Sequence, residues 1–142
     1  GNFNLINKII ENNIKNINLF HGNVLEFLDN INCPNIFDEV WILFPDPWPK
    51  MRHHKRRLIN PFFLKKISYF IKKSGNLMIA TDSKSYTYSI LKSIYEAQDY
   101  FLWQNPRINL WDYQYLNLPK TKFYKKALKS NRNSMFFRLN KI

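Results

Sequence analysis

The 142-residue sequence is poor in glycine, cysteine and acid. Its three glycines, Gly1, Gly22 and Gly75, lie too far apart for a G-x-G turn, which excludes a glycine-rich loop cradling a phosphate or nucleotide within these residues. The single cysteine, Cys33, excludes an internal disulfide and a thiolate metal cluster, and suits a reducing compartment. No apolar run approaches the roughly 20 residues that a membrane-spanning helix needs, and no secretory signal pattern is present. A soluble, cytoplasmic protein without membrane or metal partners is expected. Acids number 10 against 22 Lys and Arg, leaving a net charge of +12. Such an excess concentrates polyanions nearby and suits a phosphate-bearing partner, although charge alone is equally compatible with a merely basic protein. The chain also lacks an initiator Met and opens at Gly1 directly in a helical pattern, so a missing upstream segment is expected.

What is present is globular. Hydrophobic residues make up 45% and aromatics 17%, enough to build a core at this length and too much for a disordered chain. Phe3, Ile6, Ile9/Ile10 and Ile14 recur at helical spacing and predict a helix over 2–14. Ile17 to Phe20 reads as a short buried strand, closed by the turn His21-Gly22-Asn23 and followed by a short helix from Val24 to Leu28. Phe37 to Phe44 suits a strand buried on both faces. Asn60 can cap a helix with Pro61 at its first position, Phe63, Ile67, Phe70 and Ile71 on its apolar face, and Gly75 as its stop. A strand over Asn76–Ala80, a helix from Lys84 to Gln98 capped by Ser83 with Tyr88, Leu91 and Ile94/Tyr95 inward, a strand over 99–103, a loop over 104–119, a helix over 121–129 and a strand over Ser134–Leu139 complete the expectation. This alternation predicts one α/β domain over 1–142 with a largely parallel sheet. Ligands bind beyond the carboxyl ends of strands in such sheets, where Asn23, Asp46 and Asp82 fall.

Asp46 is set between prolines in Phe44-Pro45-Asp46-Pro47-Trp48-Pro49-Lys50, which stiffens the backbone and presents the carboxylate. Phe44 and Trp48 offer flat apolar surface on which a nucleobase can stack. Taken alone, the segment reads more readily as a proline-rich turn with Trp48 buried and Asp46 as turn-former. The next residues add weight to a site: Lys50, Arg52, Lys55, Arg56 and Arg57 place five cations within eight residues, with His53 and His54 between them. Cations beside an aromatic and a strand-end carboxylate suit gripping a phosphate backbone while a base enters a pocket, with a solvated charge run as the alternative for Arg56 and Arg57.

The string from Phe44 to His53, with Lys55-Arg56-Arg57, closely resembles the signature of the bacterial tRNA (guanine-N7)-methyltransferases. Ala80-Thr81-Asp82 resembles that family's next strand end, and Thr121-Lys122-Phe123 its C-terminal motif. The resemblance implies a class I, Rossmann-like S-adenosylmethionine-dependent methyltransferase fold, here N-terminally truncated, acting on a variable-loop guanosine of tRNA to give 7-methylguanosine. It implies Asp46 as the catalytic carboxylate, also near the cofactor, and Asn23 as a second cofactor contact where the family usually has Asp. Substrate contacts are implied for Lys50, Arg52, His53, Lys55, Arg56, Arg57, Asp82, Thr121, Lys122 and Phe123. Tyr124 stands where the family usually has Glu, and is carried as a substrate contact through its phenol. The implied partners are tRNA and S-adenosylmethionine, with a monomer or homodimer left open. The glycine-rich turn and acid that normally hold the methionine and ribose portions are absent, so the chain is expected to be part of a longer enzyme, inactive and poorly soluble alone. A non-catalytic RNA-binding remnant is the alternative.

Overall fold

In a computed structural model, residues 2–113 and 118–142 are described. They form two compact units, Gly1–Asn32 and Cys33–Ile142.

The first unit carries α1 (Asn2–Glu11) and α2 (Val24–Asp29). The predicted first helix ends three residues early because Asn13 adopts φ 49°, letting Asn13 N–H donate to Ile10 and Ile14 N–H to Ile9. That reversal caps the helix carbonyls in place of another turn. Ile17–Phe20 is not a strand: among the described residues it enters no ladder, and its apolar side chains are largely exposed. An extended segment without a partner leaves its backbone groups to water, so apolar content alone cannot make it a strand. Asn23 therefore follows no strand, and instead caps α2 by accepting a hydrogen bond from Leu25 N–H at 2.9 Å.

The second unit holds a four-stranded sheet in the order β1-β2-β4-β3, comprising β1 (Phe37–Leu43), β2 (Ile71–Thr81), β3 (Phe101–Trp103) and β4 (Met135–Lys141). β1 and β2 are parallel, and β4 runs antiparallel to both β2 and β3. Three strands thus point one way, as a largely parallel sheet requires, but the inserted β4 makes two of the three pairings antiparallel. Helices α3 (Pro61–Phe70) and α4 (Lys84–Glu96) supply the crossovers, and α5 (Lys122–Lys129) precedes β4. The mixed α/β architecture is that expected of a Rossmann-like methyltransferase.

Local chemistry sets the elements. Asn60 accepts from Phe63 N–H at 2.9 Å ahead of Pro61, and Ser83 and Thr121 cap α4 and α5 in the same way. α3 stops at Phe70 rather than at Gly75, because β2 begins at Ile71 opposite Phe37. Between Phe37/Glu39 the register slips past Lys72–Ser74, with Ser74 at φ 63°. α4 buries Ile94 and half-buries Leu91 as expected, but otherwise turns a different face inward. Tyr86, Ile90 and Ile94 are buried, while Tyr88 and Tyr95 face water. Two apolar stripes of helical spacing run along this helix, and the Tyr86 hydroxyl decides between them by accepting from Ile59 N–H at 2.8 Å. β1 is not buried on both faces. Only one neighbour, β2, pairs with it among the described residues, and Trp41 and Leu43 are exposed.

The core lies on both sides of β2. Met78 and Ala80 join Phe136, Tyr113 and Tyr124 on one face, with Phe44 and Leu118 against them. Leu77 and Ile79 alternate to the other face, as do Phe137 and Leu139 of β4, all fully buried. Burying each such side chain is worth about 1.5–3 kcal/mol.

Gly75 is required by close approach. A Cβ there would lie 2.8 Å from the Asp38 carbonyl oxygen and 2.9 Å from that of Lys72. Backbone cannot yield as a side chain tip can, so Gly75→Ala is expected to cost about 1–3 kcal/mol, seen as a lower urea midpoint with unchanged slope.

Candidate functional site

β1, β2 and β4 bring the site to one sheet edge. Leu43 pairs with Ala80 and Thr81 with Met135, so the segments after β1 and β2 and before β4 emerge side by side. Phe44 closes β1 by donating its N–H to Ala80 at 2.8 Å, then turns at φ 55° into Pro45. Trp48, again before a proline, sits at φ 41°. Bulky residues in the left-handed region cost about 1–3 kcal/mol each and persist only where their surroundings over-determine them. Between these two strained positions lies Asp46, exposed.

Arg57 supplies much of that determination. It is 4% exposed, and its Nε donates to the Pro47 carbonyl at 2.8 Å. Its Nη1 donates to the Ser85 carbonyl and the Ser89 hydroxyl, and its Nη2 to the Ser85 hydroxyl at 3.2 Å. The guanidinium lies 5.0 Å from the centroid of the Tyr86 ring. Burial pushes Arg57 below its ordinary pKa, against the nearby Tyr86. Burial likewise pushes the Tyr86 phenol up. The Ile59 N–H and Arg57 oppose that shift and the Asp46 carboxylate adds to it, so Asp46, Arg57 and Tyr86 share one electrostatic neighbourhood. The structure thus puts Arg57 inside the fold as the tie between the proline segment and α4, rather than among the exposed cations.

The rest of the basic run faces outward. Lys50, Arg52, Lys55 and Arg56 are exposed on and before a 3₁₀ turn over Met51–Arg56. Trp48 is half-buried there, with the Arg56 guanidinium 5.0 Å from its ring centroid and the His53 ring edge-on at 5.8 Å.

The C-terminal motif reaches the same place. Phe123 is 58% exposed and stacks on Phe44 with centroids 6.2 Å apart. Thr121 caps α5 by accepting from Tyr124 N–H at 3.1 Å, and Lys122 is exposed. Tyr124 points inward: it is buried and stacked on Tyr113 at 4.6 Å, in the core rather than on the surface.

Asp82 follows β2 and accepts from Arg132 Nε at 2.8 Å. Sequence inspection misses Arg132. α5 ends with Asn131 at φ 52°, with Arg132 N–H donating to Ala127 and Asn131 N–H to Leu128. An Asn after a lysine-rich helix is a recognisable stop signal. What that stop places beside Asp82, 50 residues away, depends on β4 pairing with β2. Asp82, Arg132, Pro47, Ser83 and Met135 line an open groove of about 870 Å³, large enough for a nucleoside. Asn23 belongs to the first unit, with its amide oxygen engaged by Leu25.

A family model described as "Putative methyltransferase" matches residues 2–137. The chain belongs to this methyltransferase family. It is 37% identical over 131 residues to a tRNA (guanine-N(7)-)-methyltransferase of Buchnera aphidicola from Schizaphis graminum, covering 90% of this chain and 54% of that protein. It is 33% identical over 138 residues to the protein of the same name from Wolbachia pipientis wMel, covering 97% of this chain and 58% of that one. A "Bifunctional methyltransferase" of Rickettsia conorii is 34% identical over 144 residues, 26% of its own length. The chain spans about half the length of the tRNA (guanine-N(7)-)-methyltransferases it matches. Membership in the family implies a methyl donor. Among the described residues no helix is long and apolar enough to cross a membrane, and no three His, Cys, Asp or Glu side chains come together as a metal site.

Arg57→Ala removes four hydrogen bonds and leaves the Pro47 carbonyl unpaired. It is expected to lower unfolding free energy by about 3 kcal/mol, whereas Arg52→Ala, at an exposed position, shifts it by less than about 0.5 kcal/mol. Chemical denaturation of both variants checks the contrast.

Proposed function

We propose that the protein of which this chain is part transfers a methyl group from S-adenosylmethionine to N7 of a guanosine in the variable loop of tRNA, giving 7-methylguanosine. The carrying observation is Asp46, presented at a sheet edge between strained Phe44 and Trp48, with exposed cations immediately after it. In this reading both compact units belong to one methyltransferase domain, supported by a family match that runs from residue 2 to residue 137. Partner and compartment follow from the substrate: tRNA in the cytoplasm, bound by a monomer or homodimer.

The residues present fit part of the donor's site. The Asn23 amide oxygen is engaged by Leu25 N–H, and among the described residues of its unit its N–H₂ has no hydrogen bond, so that group can donate to a ring nitrogen of adenine. Asp46 is the second contact. No glycine-rich turn lies in the sequence, so the methionine and ribose portions are left to residues outside these 142. When bound, the donor supplies an electrophilic methyl on a sulfonium sulfur.

The chain's own residues do the rest. Guanine N7 carries an in-plane lone pair and no proton, so no general base is needed to uncover it. Alkylation places positive charge on the purine, and the fixed Asp46 carboxylate stabilises that charge or accepts a hydrogen bond that orients the base. Phe44 and Phe123 offer stacked apolar surface beside it, and Asp82, held by Arg132, offers a carboxylate oxygen to the base's N–H groups. Lys50, Arg52, His53, Lys55, Arg56 and Lys122 hold the phosphate backbone, and Thr121 positions the helix that carries Lys122 and Phe123. Arg57 and Tyr124 act from inside, by fixing the proline segment and α5.

Asp46→Ala is expected to abolish methylation with the fold intact, checked by mass spectrometry of tRNA nucleosides and by circular dichroism. Near-normal turnover in that variant sinks the assignment of Asp46, and 7-methylguanosine persisting after deletion of the gene sinks the reaction.

A further inference from the structure

α5 carries Lys122, Lys125, Lys126 and Lys129 and no acid, with Lys120 just before it. At 100° per residue the four helical lysines fall within an arc of about 100°, a single stripe about 10 Å long. The centre of that arc lies opposite Tyr124 and Ala127, which are buried and lock the other side of the helix into the core. The four lysines are exposed, and none pairs with an acid among the described residues.

Such a stripe is unfavourable in isolation, because lysines three and four residues apart repel. The helix dipole favours Lys126 and Lys129 in the last turn but disfavours Lys120 and Lys122 at the start, so helix stability explains only half of it. Its position is fixed relative to the site. Phe123 stacks on Phe44, and the stop after α5 delivers Arg132 to Asp82. The helix that carries the stripe is therefore anchored at its start to Phe44 and at its end to the groove that Arg132 and Asp82 line.

We infer that Lys125, Lys126 and Lys129 form a second phosphate-backbone contact, engaging a stretch of tRNA beyond the nucleotide held at Asp46. The inference rests on the tRNA reading above, and takes the partner to be a nucleic-acid backbone because an ordered row of compact cations matches a row of phosphates. The contact adds affinity and sets how the RNA lies across the site, without reading a base.

The test measures binding of a tRNA transcript to the whole protein of which this chain is part, by fluorescence anisotropy between 50 and 200 mM KCl. The variant is K125Q/K126Q/K129Q, which keeps helix propensity and spares Lys122. The control K65Q/K73Q/K92Q removes the same charge from α3, β2 and α4. The stripe variant is expected to flatten the slope of log K against log salt by about 2 and to weaken binding about tenfold or more. The control should stay near wild type, and K125R/K126R/K129R should restore the slope. A stripe variant indistinguishable from wild type or from the control, or a whole wild-type protein that does not bind the transcript, overturns the inference. So does stripe-dependent binding to phosphatidylglycerol vesicles that exceeds binding to tRNA. Failure of the methyltransferase reading shows separately, as 7-methylguanosine unchanged by gene deletion. Failure of this inference alone shows as a wild-type slope in a variant that still methylates.

Discussion

The site depends on one buried cation. Arg57 holds the Pro47 carbonyl with one nitrogen and α4 with the other two, over the Tyr86 ring. Phe44 is also held by its N–H bond to Ala80, but without an inward donor at Pro47 the segment that follows would lose the hydrogen bond that fixes it next to Trp48. Prolines stiffen a chain but do not choose where it lies. The choice comes from a planar guanidinium whose fork reaches both the segment and the helix behind it, a geometry that a lysine cannot reproduce. Asp46 is thereby exposed on a fixed backbone, which an electrostatic role toward a developing cation needs.

A second constraint works at longer range. β4 between β2 and β3 reverses direction, so the turn after α5 arrives at the same sheet edge as Asp46 and Asp82. That return brings Arg132 to Asp82 and sets Phe123 against Phe44. Three segments far apart in sequence become one surface through strand order, with aromatic contacts at its base and cations at its margin.

Much of this was legible beforehand. Caps at Asn60, Ser83 and Thr121 announce their helices because the signal is local, a side-chain oxygen two or three residues from the N–H it satisfies. Asp46 and its neighbours stood out because prolines and tryptophan have few uses in combination. What was illegible was non-local. The burial of Arg57 depends on serines in another helix, and the inward turn of Tyr124 on stacking with Tyr113. The inward face of α4 depends on a hydroxyl reaching Ile59. Ile17–Phe20 has the composition of a strand but pairs with none among the described residues, which composition cannot report.

The inserted strand also bears on how the chain reaches its native state. β3 has no sheet neighbour but β4 among the described residues, so it cannot join the sheet until β4 has docked on β2. The β2–β4 pairing joins residues more than 50 positions apart, and loops of that length close slowly. Until then Met78 and Ala80 lack the Phe136 side chain that covers them, and β2 offers a bare apolar edge to other chains. A premature stop anywhere before Met135 would therefore cost two strands rather than one, and would leave the product prone to aggregation however intact its Asp46 segment.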